Sequence, residues 1–397
     1  MLYKKKTLWL AIGLAAGTQV HAQQRLDDVQ VTANRLPQTQ GDVLASTTII
    51  DREEIERRQA SSVVELLQGR AGIEMAQQGP HGGQTSLFMR GSESDHSVVL
   101  IDGVRINSAT SGGASLEFLP PEAIERIEIV RGPRAAAYGA DAIGGVIQIF
   151  TRRDATPGTH ASLSARAGSN DTYSQNAWVA TGDADTRLNA SLFHHDSDGF
   201  NATYPDSSGE RDGFERSGAQ LGISHRFSDT VNFDINALRQ NFDVDYDGFG
   251  GSDYRTKGYL QSFGAQLDVA LANDRQLAIT AGHFDEQREE RYAGERESLT
   301  ESHRDELGLQ HRFIRSNGVD ALGIDYRHDS IDFSNRAGQE YGRDSRENIG
   351  IYATILREYG AHELSSSLRY DDDSLFGDET TGNLGYAYRL TPAQRLG

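Results

Sequence analysis

Beyond Pro157 the chain alternates apolar and polar residues in short segments. Residues 188–192, 231–237 and 384–390 each place an apolar or aromatic side chain at every second position. A period of two is that of a β-strand, in which successive side chains point to opposite faces. About twelve such segments, each about ten residues long, predict a large antiparallel sheet.

The connections between these segments alternate in length. Tight polar turns, such as residues 228–229 and 272–274, alternate with long Gly/Asp-rich stretches, such as 196–214 and 242–257. Segment length, period and this alternation together fit the tilted strands of a transmembrane antiparallel β-barrel. A secreted β-sandwich is the alternative fold, although its loops do not usually alternate in this way.

The residues before Arg153 have a mixed pattern. Asp51, followed by Glu54 three positions later, reads as a capping box that opens a short helix, and Ser61 and Ser62 open a second. Short apolar runs predict strands at 87–89, 98–101, 127–130 and 146–150. We therefore expect a small α+β domain before the β-rich region.

The N-terminus carries export features. Three lysines at positions 4–6 precede an apolar run at 8–17, and small residues near Ala22 suit cleavage there. Residues 1–22 are therefore predicted to be a signal peptide. The chain has no cysteine, so an exported protein of this length needs a large core or a closed sheet rather than disulfides. Its net charge of −19 argues against nucleic acid as a partner.

Residues 127–147, IEIVRGPRAAAYGADAIGGVI, resemble the plug signature of TonB-dependent outer-membrane receptors. Residues 88–91 and 99–105 are similar to other parts of the same plug, and within this family the chain most resembles receptors for cobalamin (vitamin B12). The resemblance implies a plug domain at 37–153 and a partial transmembrane barrel at 158–397. It also implies a mainly β fold with about 22 strands, of which about twelve are present in a C-terminally truncated copy.

The plug of this family is enclosed by its barrel. Arg90, Arg131 and Arg134 of the plug signature are therefore expected to offer bidentate hydrogen bonds to carboxylates on the barrel wall. Residues 23–36 resemble the TonB-box segment, by which such receptors pair with the energy-transducing protein TonB in the periplasm. Its partner-binding residues are expected to add as a strand to TonB: Asp27, Asp28, Val29, Gln30, Val31, Thr32 and Ala33.

An acidic stretch at 243–248 begins like an EF-hand loop. Asp243, Asp245 and Asp247 alternate before Gly248, but Tyr254 stands where an EF-hand has its closing glutamate. Carboxylate oxygens favour Ca²⁺. The resemblance implies Ca²⁺ as a cofactor that orders the extracellular loops, and the alternative is a solvated acidic loop. The implied calcium ligands are Asn201, Glu210, Asp212, Tyr246, Asp247 and Asp253.

The resemblance also implies where substrate would bind. The matching plug and barrel positions are Gln84, Ser86, Thr110, Ser111, Gly248 and Thr300. Glu93 stands where these receptors have an asparagine, so the substrate contacts at the apex of the plug are expected to differ.

The resemblance implies a monomeric active transporter, embedded in outer-membrane lipid, that imports cobalamin with TonB as partner. The sequence contains none of the enzyme motifs H-E-x-x-H, G-x-S-x-G or the P-loop, so no enzymatic activity is expected. A receptor for siderophores or haem is an alternative within the same fold. A structural or adhesion protein anchored by its barrel is an alternative from another class.

Overall fold

The computed structural model describes residues 30–31, 35–36, 38–39, 43–154, 156–202, 209–248, 251–391 and 394–396. The predicted signal peptide and most of the predicted TonB-box segment lie outside these residues. Within that segment, strand β1 Gln30–Val31 pairs antiparallel with β2 Gln38–Thr39. No helix in the described residues is long and apolar enough to cross a membrane.

Seven short strands follow between residues 47 and 151. They are β3 Thr47–Ile50, β4 Ile73–Gln77, β5 Thr85–Met89, β6 Ser97–Ile101, β7 Val104–Arg105, β8 Ile124–Arg131 and β9 Gly145–Thr151. Five of them form a mixed sheet in the order β3-β8-β9-β6-β7, in which only β6 and β9 run parallel. β4 and β5 form a separate hairpin.

Three helices pack beside this sheet: α1 Arg52–Arg58, α2 Val63–Leu67 and α3 Ala135–Tyr138. The Asp51 side chain accepts a hydrogen bond of 2.8 Å from the backbone N–H of Glu54, which satisfies one of the unpaired donors at the start of α1. Ser62 caps α2 in the same way through the N–H of Glu65. Both predicted helix starts are therefore confirmed.

The core of this α+β domain extends into the larger sheet. Ile127 and Ile147 of its central strands are fully buried, and the same apolar cluster includes side chains from four strands of the larger sheet. Those four side chains are Phe193, Leu238, Leu260 and Phe284. The domain therefore packs as a plug against one face of the large sheet, since apolar burial is the main force that holds packed layers together.

Thirteen strands form the large sheet, and each pairs antiparallel with its neighbour in sequence. They are β10 Gly158–Ala167, β11 Tyr173–Gly182, β12 Thr186–Phe200, β13 Asp212–Ser228, β14 Val231–Gly248, β15 Gly251–Ala272, β16 Arg275–Tyr292, β17 Glu295–Arg315, β18 Gly318–Asn335, β19 Glu340–Tyr359, β20 His362–Asp373, β21 Gly377–Thr391 and β22 Gln394–Leu396. In the described chain, β10 and β22 each pair on one side only.

The strands are longer and the loops shorter than the sequence predicts. β15 has 22 residues, whereas the prediction was about ten per strand. The stretch 242–257 was predicted to be a long loop, but β14 runs to Gly248 and β15 begins at Gly251. Here cross-strand pairing, including that of Tyr246 with Tyr254, overrides the loop-like composition of the acidic residues. The stretch 196–214 was also predicted to be a long loop, but β12 runs to Phe200 and β13 begins at Asp212.

The two faces of the large sheet differ in chemistry. One face contacts the plug and carries polar side chains, whereas the other carries exposed apolar residues. Five of these are direct cross-strand partners along one row from β16 to β20: Ile279, Leu309, Ile324, Ile351 and Tyr370. An apolar row on the outer face of an antiparallel sheet is the lipid-facing signature of a transmembrane barrel wall.

Candidate functional site

Three plug segments meet at one end of the plug. The β4–β5 hairpin reaches its tip at 78–84, and Ser94–His96 forms a single 3₁₀ turn that begins after Glu93. The Leu87 N–H donates a 3.1 Å hydrogen bond to Ser94 Oγ, which ties the hairpin to the turn. Gly112 packs directly against Asp95, so the loop at 107–113 lies on the other side of the same turn.

The predicted substrate residues of the plug lie at this end. Gln84, Thr110 and Ser111 are exposed, and Ser86 is half-buried in β5. Asn107 holds the loop that carries Thr110 and Ser111, because its amide donates to the carbonyl of Gly112 at 2.8 Å. The structure therefore presents four predicted substrate positions on one surface, while their role in binding stays a prediction.

The barrel wall supports the same surface. The backbone N–H of Ala109 donates a 2.8 Å hydrogen bond to Ser302 Oγ of β17. Thr300 lies two residues from Ser302 on the same face of that strand, because side chains alternate along a strand. Thr300 therefore lies on the plug-facing side of β17, two residues from the contact with Ala109, while its role in substrate binding stays a prediction.

Three of the predicted calcium ligands converge. Glu210, Asp212 and Asp247 each place a carboxylate oxygen within 4.8 Å of the others. Asp212 is almost fully buried, and its Oδ2 accepts a 2.9 Å hydrogen bond from the N–H of Ala202. Oδ2 of Asp247 is buried and accepts no hydrogen bond from the residues that the structure describes. Three carboxylates at this separation repel one another, so a bound cation would remove both the repulsion and the unmet hydrogen-bonding capacity.

A break in strand pairing explains why Asp247 reaches this cluster. The pairing of β14 with β15 shifts register between Tyr246 and Gly248. An extra residue at such a bulge re-aims the local side chain, which regular alternation would place on the same face as Asp245. The start of β13 supplies Asp212 directly, and Glu210 precedes it by two residues.

The remaining predicted calcium and substrate residues of these strands lie outside the carboxylate cluster. The hydroxyl of Tyr246 donates to Glu290 Oε2 at 2.7 Å, and Asp253 is exposed and is not a member of the cluster. Asn201 directly precedes Ala202, whose N–H binds Asp212. Gly248 packs against the ring of Tyr254, where a Cβ would overlap that ring at 2.5 Å.

The cluster lies beside the plug hairpin. Gly82 has φ +83°, and a Cβ there would approach the ring of Phe214 to 2.3 Å, so only glycine permits this contact. Phe214 follows Asp212 by two residues in β13. A cation held by the three carboxylates would therefore order the same strand start that packs on the substrate-facing hairpin.

The sequence analysis missed Arg35 as an anchoring residue. Arg35 Nη1 lies 2.8 Å from Asp325 Oδ1 and 2.7 Å from Oδ2, and the guanidinium group sits 4.8 Å from the ring centres of both Tyr138 and Tyr352. Burial acts to lower the pKa of Arg35, but Asp325 outweighs it and raises the pKa well above its usual value. The anchor joins the residues after β1 to the barrel wall, 290 positions away in sequence.

A second group of plug–wall contacts centres on Glu117. Arg288 of β16 donates to Glu117 Oε1 at 3.2 Å, and the same guanidinium donates to Ser115 and Glu286. Burial raises the pKa of Glu117 to about 7, although Arg288 opposes this shift. The carboxyl therefore changes charge near neutral pH inside the contact between plug and wall.

Arg131 and Arg134 were expected to contact carboxylates on the barrel wall, but they bind within the plug. Arg131 Nη1 donates to Thr48 within the plug at 2.9 Å, and Arg134 donates to the adjacent carbonyl of Pro133. Among the described residues, no ion pair joins Arg90, Arg131 or Arg134 to a wall carboxylate, so that expectation is not met by these strands. Other plug arginines contact the wall instead. The expectation was wrong because residue type alone does not reveal which plug side chains face the wall.

Arg153 makes such a contact, because its guanidinium group donates to Asn236 Oδ1 at 2.7 Å and lies 3.6 Å from Asp234 Oδ1, both on β14. Arg105 instead binds a plug carboxylate that in turn contacts the wall. Its Nη1 donates to Asp141 Oδ2 at 2.6 Å, and the Arg327 guanidinium of β18 lies 3.5 Å from the same oxygen. Burial acts to raise the pKa of Asp141, but these two guanidinium groups outweigh it and lower the pKa.

The fold and these contacts agree with comparisons to known proteins. Residues 39–146 match the TonB-dependent Receptor Plug Domain family, and residues 153–396 match the TonB dependent receptor-like β-barrel family. The chain belongs to the TonB-dependent receptors and is an outer-membrane protein.

Its relatives include transporters for vitamin B12. The chain is 34% identical to the vitamin B12 transporter BtuB of Vibrio vulnificus over 92% of its own length and 60% of that protein's. It is 31% identical to BtuB of Photobacterium profundum over 98% of its own length and 64% of that protein's. The chain thus spans less than two thirds of the length of these relatives.

Solved structures share the fold. The ferric enterobactin receptor PfeA of Pseudomonas aeruginosa superposes with a TM-score of 0.70 at 16% identity, covering 87% of this chain and 60% of the receptor. The siderophore receptor PiuA of Acinetobacter baumannii superposes with a TM-score of 0.70 at 15% identity, covering 92% and 65%. At these identities the likeness concerns the fold alone.

Proposed function

We propose that the protein is a TonB-dependent outer-membrane transporter that binds cobalamin above the plug and imports it into the periplasm. The observation that carries the proposal is the convergence of Glu210, Asp212 and Asp247 beside the plug hairpin. Similarity to vitamin B12 transporters over nearly the whole chain supports the substrate. The siderophore receptors with the same fold are too distant in sequence to support a different one.

Calcium enters this proposal as a cofactor that orders the site. Ca²⁺ accepts several oxygen ligands at about 2.3–2.6 Å in flexible geometry, which suits three carboxylates with Asn201 adjacent to Ala202, the residue that donates to Asp212. Filling the cluster would fix the start of β13 and the end of β14. The predicted substrate surface would then be ordered before a neutral, amphipathic ligand binds, so binding would cost less conformational entropy. That surface consists of Gln84, Ser86, Thr110, Ser111, Gly248 and Thr300.

The N-terminal segment supplies the energy coupling in this proposal. Gln30 and Val31 are already extended and form an edge strand with Gln38 and Thr39. Addition of residues 27–33 to a sheet edge of TonB would use backbone hydrogen bonds. Force on that strand would then reach Arg35 first, and through it Asp325 and the plug residue Tyr138.

Cobalamin binding to outer membranes that contain the protein tests the proposal. We expect saturable binding of radiolabelled cobalamin in millimolar Ca²⁺ and weaker binding after chelation with EGTA. Asp247→Asn should bind weakly in both conditions, because the cluster loses one charged ligand.

The matched control is Asp274→Asn, an exposed acid in the turn at the opposite end of the strands, which should behave like the parent. Absence of cobalamin binding at every Ca²⁺ concentration would exclude cobalamin as substrate. Binding that ignores both EGTA and Asp247→Asn would exclude the calcium role alone.

A further inference from the structure

The described residues contain two groups of metal-ligand side chains besides the carboxylate cluster. One lies on the plug at Glu93, Asp95 and His96, and the other lies on the outer face of the barrel wall. Glu301, His303 and Asp332 place one ligand atom each within 4.8 Å of the others. Glu301 and His303 are two residues apart on β17 and so share a face, and Asp332 of β18 is the direct cross-strand partner of Glu301. This face is opposite to that of Ser302 and Arg304, which contact the plug.

One nitrogen of the His303 imidazole is held by a carboxylate, which leaves the other nitrogen for a metal ion. Its Nδ1 lies 2.6 Å from Asp285 Oδ1 of the neighbouring strand. A carboxylate only accepts hydrogen bonds, so Nδ1 carries the proton and Nε2 keeps its lone pair. Asp285 is itself held by the amide of Gln261 and by Nε2 of His283 at 2.8 Å. Such a carboxylate–histidine pair is the usual outer shell of a metal-binding histidine.

The position on the strand keeps this group outside the apolar row. Leu309 of that row is six residues from His303, about 20 Å along a strand that rises 3.3 Å per residue. Barrel strands tilt by about 35–45°, so this length is about 15 Å along the barrel axis. The apolar band is about 25 Å tall in total, so a residue about 15 Å from its middle lies just beyond its edge. Metal ions in water can therefore reach the three side chains. At Asp332 the pairing with β19 also shifts register, and such a bulge re-aims the side chain.

We infer that Glu301, His303 and Asp332 form a binding site for one divalent transition-metal ion, with Zn²⁺ as the best fit. One imidazole nitrogen and two carboxylate oxygens are a donor set that Zn²⁺ accepts, and three protein ligands leave a fourth position for solvent. The nitrogen ligand distinguishes this group from the all-oxygen cluster of Glu210, Asp212 and Asp247, which suits Ca²⁺. This inference does not depend on the proposed substrate.

Equilibrium dialysis of the purified protein in detergent against radioactive zinc tests the site, with Ca²⁺ in large excess to occupy the all-oxygen cluster. We expect His303→Ala and Glu301→Gln each to bind one zinc ion fewer per chain than the parent. Asp285→Asn should keep the site but lower its zinc affinity about 10–100-fold, because only the orientation of His303 is lost. His194→Ala is the matched control, since His194 is also a half-exposed strand histidine but lies near a single carboxylate, Glu215.

Cobalt offers a second readout that a general loss of folding does not mimic. Co²⁺ bound with a histidine nitrogen in a four-coordinate site absorbs visible light strongly, and this absorption should appear in the parent and in His194→Ala but not in His303→Ala. Equal zinc binding by the parent and His303→Ala would overturn the inference. So would the absence of zinc binding by the parent, or full displacement of zinc by Ca²⁺.

Discussion

Arg35 and Asp325 form an ion pair that joins the N-terminal segment to strand β18 of the barrel wall. The aromatic rings of Tyr138 and Tyr352 flank the guanidinium group, so the pair has a plug residue on one side and a wall residue on the other. Asp325 also accepts from Arg369 at 2.8 Å. The carboxylate therefore remains paired with Arg369 when Arg35 is removed, whereas Arg35 loses its only described carboxylate when Asp325 is replaced.

The first prediction concerns this anchor. Asp325→Asn should release the N-terminal segment, because it leaves the half-buried guanidinium group of Arg35 without a counter-charge. Its cost should be below the about 3–5 kcal/mol of a fully buried pair, since the Arg35 side chain is 24% exposed. Arg35→Gln should release the segment at lower cost. A spin label at position 30 should show greater mobility in both variants. Arg52→Gln, which breaks an exposed pair with Glu56, should leave the mobility unchanged.

The second prediction concerns residues 27–33. If backbone hydrogen bonds carry the interaction with TonB, Val31→Pro should abolish cobalamin uptake, whereas Val31→Ala should lower it only slightly, because proline removes a backbone donor. Cobalamin binding to isolated membranes should be the same in both variants and in the parent. Equal uptake by the proline and alanine variants would contradict strand addition.

The third prediction separates the calcium ligands. Asp247 belongs to the carboxylate cluster, while Asp253 is exposed and lies outside it. Asp247→Asn should therefore weaken Ca²⁺ binding about tenfold or more, which corresponds to about 1.4 kcal/mol, whereas Asp253→Asn should leave it nearly unchanged. Calorimetric titration with Ca²⁺ measures both values. An equal loss in the two variants would show that Asp253 moves into the site when the ion binds.

The fourth prediction concerns pH. The pKa of Glu117 rises from an ordinary 4.5 to about 7 in the folded protein, mainly because the carboxyl is buried. Between these two values the folded state holds a proton that the unfolded state has lost, so stability falls as pH rises from 4.5 to 7. Above pH 7 the carboxyl is ionised in both states, so burial of its charge lowers the free energy of unfolding by an amount that no longer depends on pH.

Glu117→Gln mimics the protonated carboxyl and should remove this part of the pH dependence. At pH 8 the variant should be more stable than the parent by about 3 kcal/mol, because one pKa unit corresponds to about 1.4 kcal/mol and the rise from 4.5 to about 7 already includes the opposing effect of Arg288. Thermal unfolding across the pH range measures the difference. Glu53→Gln, at an exposed position of α1, should not change the profile.

The fifth prediction concerns the outer face of the wall. Ile324 lies between Leu309 and Ile351 in the apolar row, so Ile324→Lys should place a charge against lipid and destabilise the folded barrel by about 2 kcal/mol or more. Leu375→Lys, in the exposed connection between β20 and β21, should have little effect. Urea unfolding from lipid vesicles compares the two variants. If Ile324→Lys does not change the stability of the barrel, this row does not face lipid.

Much of the fold follows from the sequence because its signals are local. The period of two beyond Pro157 predicts the strands of the large sheet, and Asp51 with Glu54 predicts the start of α1. The predicted count of about twelve strands compares with thirteen, the additional strand being the three-residue β22. Composition was misleading at 242–257, where an acidic, glycine-containing stretch is held in strands by its cross-strand partners.

The site was only partly predictable, because its contacts join residues that are far apart in the sequence. The resemblance to TonB-dependent receptors implied Glu210, Asp212, Asp247 and Asp253 as ligands, but only the bulge after Tyr246 decides that Asp247 joins the cluster and Asp253 does not. The roles of Arg35 and Glu117 depend on partners in distant strands. Neither residue has a neighbour in sequence that would reveal such a partner, and ion pairs of this kind leave no periodic pattern.

The sequential order of the large sheet has a consequence for how the molecule assembles. Each strand from β11 to β22 pairs with the strand before it, so the wall can grow by adding one hairpin at a time, and each addition closes only a short loop. The pair between Arg35 and Asp325 instead closes a loop of 290 residues. Docking of the N-terminal segment is therefore expected to be among the last events of folding, after β18 has joined the wall.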